Sequence, residues 1–318
     1  MTEVHKGWIA GFWRRIFAFV IDCWVLGLIG FFIGLIFDDV FVQLGGWGRL
    51  VGFIIGLLYF GVLNSAIGGG QTAGKRLLKV RVVNGSGQTI SVGESLLRYS
   101  VFAVPFLLNR AQFSIEFLDS FFLYLMSLIV FGGILSILYL YLFNRVTRQS
   151  LHDLALGTYV VNANVPAQEP GKIWKGHLVI VGLLCTAAIV VPVYTSSLVK
   201  EESFIEMFTV QSTVAALPDI RHVEVSSGTS FINAKGGKSS SVAFVSVRVA
   251  LSVNRIDDED LAREIALIVL NEYPDALSKK AIRVVMVYGY DIGIWGASSS
   301  HYYDFDPLVL EGELSFQD

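Results

Sequence analysis

The feature that most constrains this chain is a long apolar run near its start, residues 16–37, that contains a single charged residue, Asp22. The run has 22 residues, and a helix needs roughly 20 to cross the hydrocarbon core of a bilayer. A carboxylate at that depth costs on the order of a few kcal/mol or more if it faces lipid, so we expect Asp22 to face protein or water. Arg15 and Ala18 share its helical face, because they precede it by seven and four residues.

Two interpretations of Asp22 follow. In the first, which we favour, it binds a proton or a cation inside the membrane, with Arg15 at the cytoplasmic opening, as is usual for ionisable residues in membrane spans. In the second, it bonds to polar side chains of neighbouring helices and holds the bundle together. The candidate partners for that structural role are Asn64, Ser65 and Arg98.

The composition agrees with a membrane protein. Hydrophobic residues make up 53% of the chain and charged residues only 16%, whereas soluble domains carry roughly 25% charged residues. The net charge of −3 divides into +5 for residues 1–199 and −8 for residues 200–318. An acidic tail is a poor partner for nucleic acid. The first apolar run is too long for the core of a signal peptide, so we interpret it as a retained anchor.

Further apolar runs at about 50–67, 121–143 and 178–194 predict more spans. The apolar run 96–108 is short and contains Arg98 and Pro105, so the segment 96–118 is ambiguous between a span and a re-entrant segment. If it crosses, the cytoplasmic segments hold 12 Lys and Arg residues and the outer loops hold two. The positive-inside rule therefore favours five spans, with the N-terminus in the cytoplasm and the C-terminus outside.

The predicted fold is an α-helical multi-pass membrane bundle of about five spans with a small cytoplasmic β element, followed by a soluble α+β domain. We expect a membrane module at 1–176 with cytoplasmic loops 68–95 and 144–176, a last transmembrane helix at 177–198 and an extracytoplasmic domain at 199–318. The tail contains strand-like runs at 221–232, 242–253 and 282–288, with an amphipathic helix beginning near Asp257.

The two cytoplasmic loops each contain a short strand-like run, at 78–84 and 157–162, and both runs end in Val-Val-Asn. We predict that these strands pair, which brings Asp153 close to the glycine-rich loop. That loop has the glycine spacing of a phosphate-binding loop from Gly69 to Lys75, but Arg76 stands where Ser or Thr is needed and the loop follows a span. We interpret it as a tight basic turn at the cytoplasmic membrane surface, close to lipid headgroups.

Other polar groups give weaker signals. His152 and Asp153 could form a metal or proton-relay pair, but no second His or Cys lies near them. We expect instead that Asp153 caps a turn or pairs with Arg145 or Arg148. In the tail, His301, Asp304 and Asp306 lie close in sequence, a pattern more typical of a solvated loop than of a metal site. No hydrolase arrangement is recognisable, so we expect no enzyme activity, no metal and no cofactor.

Three stretches of the chain together form a pattern. In chain order they are the first helix, the loop after the second span, and a later stretch that we call the closing motif. The positions concerned are Arg15, Ala18 and Asp22, then Gly70, Thr72, Gly74 and Lys75, and finally Arg148, His152, Asp153, Gly157 and Thr158. Together these stretches resemble the RDD family of bacterial membrane proteins, which is named for an arginine and two aspartates. The resemblance covers about residues 8–163.

The resemblance implies a multi-span module of the bacterial cytoplasmic membrane for which transport, including cation/proton exchange, has been proposed. We therefore expect movement of a small solute or cation, coupled to protons, with Asp22 as the intramembrane ligand. Arg15 and Asp153 would shape the cytoplasmic opening. The alternative is a membrane scaffold or sensor whose acidic outer domain, 199–318, binds an envelope protein. The expected partners are thus the lipid bilayer, a small solute or cation, and such an envelope protein, with no nucleic acid.

Overall fold

The computed structural model describes residues 7–109, 111, 121–198, 201–232 and 240–314. The chain divides into two compact units. The first, which we call the membrane unit, comprises Met1–Phe37, Gly46–Ser196 and Asp291–Gly296. The second, which we call the tail unit, comprises Asp38–Gly45, Ser197–Tyr290 and Ala297–Asp318.

Helices form most of the first two thirds of the chain. They are α1 (Phe12–Leu44), α2 (Arg49–Leu63), α3 (Ala73–Leu77), α4 (Val92–Leu108), α5 (Phe121–Ser127), α6 (Gly133–Phe143), α7 (Leu151–Ala155) and α8 (Lys175–Leu198). A π-helical turn, Leu128–Gly132, joins α5 to α6, so these two helices continue one another. The helix α1 is kinked at Phe37, where φ is −124° and ψ is 25°.

Among the described residues, three helical stretches are long and apolar enough to cross a membrane: Phe12–Leu63, Phe121–Phe143 and Lys175–Tyr194. The first contains both of the runs predicted as the first two spans, separated by the kink and by a 3-10 turn at Gly45–Gly48. The prediction of apolar membrane helices is therefore confirmed. The helix α4 has 17 residues, and 112–120 lie outside the described residues, so the crossing at 96–118 and the count of five spans stay predictions.

A two-stranded antiparallel ribbon connects distant parts of the membrane unit. The strand β1 (Val80–Asn84) pairs with β2 (Thr158–Asn162), with Val82 opposite Val160. The predicted pairing of 78–84 with 157–162 is thus confirmed. Both strands bury valines, and Ala18 of α1 packs into the same apolar cluster.

The tail unit is an α+β fold with a four-stranded sheet. Its strands are β3 (Ile220–Ile232), β4 (Ser240–Leu251), β5 (Ala281–Asp291) and β6 (Gly296–Phe305), in that spatial order. The strands β3 and β4 are antiparallel, whereas β4 and β5 are parallel. The helices are α9 (Glu202–Ala215), α10 (Glu259–Glu272) and α11 (Pro307–Leu314). Apolar residues of β4, β5 and α10 form the core, including Val247, Val284 and Ile265.

The amphipathic helix of the tail begins where its acidic residues predict. The side chain of Asp258 accepts a hydrogen bond from the backbone N–H of Leu261 and so caps α10, with Glu259 and Asp260 in the first turn. The strand β6 and the helix α11 are not predicted by the sequence. Every residue of β6 is exposed or half-buried, so the strand lacks the regular alternation of buried and exposed residues that would indicate it.

Candidate functional site

The membrane unit has charged residues in its interior. Arg15, Arg98 and His152 are each 8% exposed, and Asp22 and Asp153 are fully buried. They belong to three different helices, since Arg15 and Asp22 lie on α1, Arg98 on α4, and the other two on α7. Because buried charges are rare unless they are paired, the contacts of each of these residues define the candidate site.

Asp153 accepts hydrogen bonds from two buried arginines. Arg15 Nη2 donates to Asp153 Oδ2 at 2.9 Å, and Arg98 donates to Asp153 Oδ1 from Nη2 at 2.7 Å and from Nε at 3.0 Å. The Thr158 hydroxyl donates to the same Oδ1 at 3.1 Å. The Asp153 side chain also forms a capping box with Ser150 at the start of α7. The predicted capping role is confirmed.

The predicted partners of Asp153, Arg145 and Arg148, are wrong. The backbone at Arg148 is left-handed, with φ of +51°, and its carbonyl oxygen accepts a hydrogen bond from Arg15 Nη1. Arg145 is exposed. The turn before α7 therefore supplies a backbone acceptor to the site, and the guanidinium groups come from α1 and α4.

The electrostatics of α7 favour an ionised aspartate beside a neutral histidine. Burial would raise the pKa of Asp153, but the guanidinium groups of Arg98 and Arg15 outweigh burial and hold the pKa well below its usual range. Burial lowers the pKa of His152 to about 3, although the neighbouring carboxylate opposes this change. His152 is thus a neutral imidazole at pH 7, and its Nδ1 atom is buried with no hydrogen-bond partner among the described residues.

Asp22 is held by three neutral donors. The Tyr59 hydroxyl and the backbone N–H of Gly74 donate to Oδ1, each at 2.8 Å, and the Thr72 hydroxyl donates to Oδ2 at 2.6 Å. The partners that we considered for a structural role, Asn64, Ser65 and Arg98, are therefore wrong. The loop after the second predicted span turns back towards α1 and supplies two of the three donors.

Glycines allow this close approach of the loop. A Cβ atom on Gly74 would lie 2.0 Å from the backbone oxygen of Ala18, so only glycine fits between the loop and α1. Gly70 has a φ of +75°, and a Cβ atom there would lie 2.5 Å from the Val82 oxygen of β1. Thr72 caps α3 by accepting from the backbone N–H of Lys75. The spacing of the motif thus follows from how the loop packs on α1 and β1.

The closing motif is explained in the same way. Gly157 has a φ of +62°, which reverses the chain between α7 and β2. Thr158, the first residue of β2, is fully buried, and its hydroxyl lies 3.2 Å from Arg98 Nε. These two residues therefore carry the chain from Asp153 into the ribbon.

A cavity of about 280 Å³ lies beside these groups in the membrane unit. Its charged lining residues are all cationic: Arg15, Lys75 and Arg98. His152 and Asn64 also line it, and Asn64 Oδ1 is a second buried polar atom with no partner among the described residues. An unmet hydrogen bond of this kind costs about 1–3 kcal/mol. The rest of the lining is largely aromatic and aliphatic, including Phe19, Phe60, Tyr99, Phe102, Phe106 and Tyr141.

Among the three cations that line this cavity, Lys75 has the weakest hydrogen bonding to other described residues. Its Nζ atom lies 3.5 Å from the Thr72 hydroxyl and 5.6 Å from the centre of the Phe60 ring. The side chain is half-buried. Burial, followed by the positive charge of Arg98, lowers the pKa of Lys75 to about 7. An anion near Nζ would favour the charged form.

The polar residues of the tail have ordinary surface roles. Asp304 pairs with Arg283 at 2.7 Å, and His301 lies 3.2 Å from Asp257. Asp306 accepts from the backbone N–H of Leu308 at the start of α11. In the part of the chain that the structure describes, no three His, Cys, Asp or Glu side chains come together as a metal site would require.

Sequence reasoning missed two contributors to the site. Arg98 was considered only as a partner of Asp22, and Tyr59 was not considered at all. The signal for Arg98 is present, because it is a charged residue within an otherwise apolar run. Nothing in the sequence distinguishes Tyr59 from the other aromatic residues of the spans.

Long apolar helices together with an interior of paired charges define an integral membrane protein. The model of the RDD family matches residues 9–157, so the membrane module of this chain is similar to that family. The tail unit lies outside the matched residues almost entirely. No curated protein and no solved structure matches the chain significantly.

Proposed function

We propose that this membrane protein moves a small solute or cation across the bilayer, coupled to protonation of Asp22. The observation that carries the proposal is the set of three hydrogen bonds that Asp22 accepts. They come from Tyr59 on α2 and from Thr72 and Gly74 in the loop. One carboxylate therefore joins two helices and the loop that follows α2.

The chemistry of a carboxylate makes this junction sensitive to protons and cations. An ionised aspartate accepts all three hydrogen bonds, whereas a protonated one carries an O–H donor and loses acceptor capacity. A proton or cation at Oδ2 competes directly with the Thr72 hydroxyl, which lies 2.6 Å away. Loss of that bond removes one of the two hydrogen bonds that join the loop to Asp22 of α1. In this proposal the loop has two states that depend on the charge of Asp22, as a coupled transporter requires.

Asp153 has a different role in this proposal. Its two guanidinium partners favour the ionised form, so it keeps its charge while Asp22 changes. Arg15 and Arg98 are held in place by this constant charge and form part of the cavity wall. We therefore assign proton exchange to Asp22 and the positioning of the cationic side chains to Asp153.

Flux measurements test the proposal. Proteoliposomes that contain the full chain and an enclosed pH-sensitive dye are exposed to gradients of Na⁺, K⁺ or octanesulfonate, a small organic anion. We expect proton movement above that of empty liposomes for at least one gradient, and at least a tenfold loss in Asp22→Asn. The control is Asp39→Asn, which changes an exposed carboxylate of the same helix and leaves the flux unchanged.

Two results would contradict this assignment. If all three gradients give the same signal in wild-type and empty liposomes, transport is wrong. If wild type and Asp22→Asn give equal flux, transport stands but Asp22 does not take part in it.

A second candidate is a membrane scaffold or sensor, and the tail unit favours it. This unit has a hydrophobic core of its own, built on β4, β5 and α10, which a transporter does not need. A chain that ends before α9 separates the two candidates. Retained flux assigns transport to the membrane unit. Loss of a tail-dependent complex, with no flux in either chain, supports scaffolding.

A further inference from the structure

We propose that the cavity of the membrane unit binds an amphipathic monoanion, whose charged group lies at Lys75 and whose apolar part lies against the aromatic wall. This inference names the solute class for the transport proposed above and rests on that proposal for its physiological role. Binding itself can be tested separately.

The balance of charge around the cavity favours an anion. Arg15 and Arg98 both donate to Asp153, so their two positive charges share one negative charge. Lys75 has no ion pair among the described residues, and Asp22 is already occupied by three donors. Three cations thus stand against two carboxylates, and neither carboxylate lines the cavity. A single negative charge would balance the region.

The rest of the lining requires an apolar body on the ligand. Phe19, Phe60, Phe102 and Phe106 are among the wall residues, and a small hydrophilic anion would leave them without partners. The cavity volume of about 280 Å³ lies just below the range for ligand sites, roughly 300–1,000 Å³. A short alkyl or single-ring anion has the appropriate size.

Two unpartnered polar groups in the wall point independently to a ligand. Asn64 is 2% exposed and His152 is 8% exposed, and each carries a buried atom with no hydrogen-bond partner among the described residues. In the tautomer that carries its proton on Nδ1, His152 can donate to an oxygen of the acidic group, and a water bound to that group can donate to Asn64 Oδ1. An apolar ligand without a polar head cannot.

Equilibrium binding to the full chain in nanodiscs tests the proposal. The probes are octanesulfonate, octanol and octylamine, which share an alkyl chain and differ in the charge of the head. We expect saturable binding of octanesulfonate, at least tenfold tighter than that of either of the others. Methanesulfonate, which lacks the chain, should bind at least tenfold more weakly than octanesulfonate.

Substitutions locate the charged group of the ligand. Lys75→Gln should weaken octanesulfonate binding at least tenfold, and Lys79→Gln, which changes an exposed lysine of the same loop, should leave it unchanged. Equal binding by the two variants would overturn the proposal, and so would equal binding of the three alkyl probes. An unchanged melting temperature in Lys75→Gln confirms that any loss reflects binding.

The lipid composition of the nanodisc distinguishes two sources of the anion, an anionic lipid and a soluble organic acid. If octanesulfonate binds more weakly in phosphatidylglycerol nanodiscs than in phosphatidylcholine nanodiscs, the anionic lipid competes for the site. That result assigns the site to an anionic lipid. Binding that is equal in both assigns it to a soluble organic acid. Either result supports an amphipathic anion. Tight octanesulfonate binding without flux supports this inference and contradicts transport, whereas flux of another solute without such binding contradicts this inference alone.

Discussion

The two units of this protein are stabilised by different interiors. Among the described residues, every buried polar or charged side chain belongs to the membrane unit, including Arg15, Asp22, Arg98 and Asp153. The buried cluster of the tail unit consists of hydrophobic residues such as Val247 and Ile265. Its ion pairs lie at the surface.

This difference follows from the solvent that surrounds each unit. In water, apolar burial drives folding, so the tail unit places its apolar residues inside and its charges outside. In lipid, apolar side chains gain little by contacting each other rather than acyl chains, and polar contacts and close packing join the helices. Residues such as Trp24, Phe32 and Leu35 of α1 are accordingly exposed on the membrane unit. The arrangement of helices in the membrane unit therefore depends on a few buried polar contacts.

The largest expected effect is that of Asp153→Asn. This change leaves the guanidinium groups of Arg15 and Arg98 buried without a counter-charge, and the loss of one member of a buried ion pair costs about 3–5 kcal/mol. We expect a large fall in the melting temperature of the membrane unit in detergent. If Asp153→Asn lowers the melting temperature as little as the loss of a surface ion pair does, the contrast between the two units is wrong.

Gly74→Ala comes next. The added Cβ atom would meet the Ala18 backbone oxygen at 2.0 Å, and neither backbone can move freely, so we expect a loss of about 1–3 kcal/mol. Gly93→Ala is the matched control, since a Cβ atom there meets nothing within 4 Å. Thermal melting of both variants measures the difference. Equal stability would mean that the loop does not pack closely on α1.

The stability of the membrane unit should also depend on pH, through the buried His152. The pKa of His152 is lowered to about 3 in the folded protein, from roughly 6.5 in an unfolded chain. Below about pH 6.5 the unfolded state therefore binds more protons than the folded state. The membrane unit keeps the stability that the neutral His152 provides above that pH and loses it as the pH falls towards 3. Between pH 7 and pH 5 we expect a loss of roughly 2 kcal/mol in the membrane unit. His152→Gln should remove this loss, and His301→Gln, at an exposed position, should not.

The smallest expected effect is that of Asp304→Asn in the tail unit. Asp304 and Arg283 form an ion pair whose side chains are 41% and 44% exposed, and exposed pairs contribute less than about 1 kcal/mol. We expect a shift in melting temperature that is close to the error of the measurement. A loss as large as that of Asp153→Asn would show that the charges of the two units act alike.

The sequence predicts those features that depend on local pattern. The run that follows Arg15 predicts a helix by its length, and the repeated Val-Val-Asn predicts the ribbon of β1 and β2. The partners of the two motif aspartates could not be predicted, because they depend on how the loops turn. The left-handed backbone at Arg148 and the contact of Gly74 with α1 decide those partners, and neither leaves a periodic signal.

The antiparallel ribbon has a consequence for how the protein is made. Arg15 and Asp153 are 138 residues apart in sequence, and β2 begins five residues after Asp153. During synthesis, α1 and α4 therefore leave the ribosome with Arg15 and Arg98 still lacking their counter-ion. The charged centre can be completed only after Asp153 has been translated, and Thr158, the first residue of β2, then adds its hydrogen bond. A nascent chain that stops before Asp153 therefore leaves both guanidinium groups without their counter-ion.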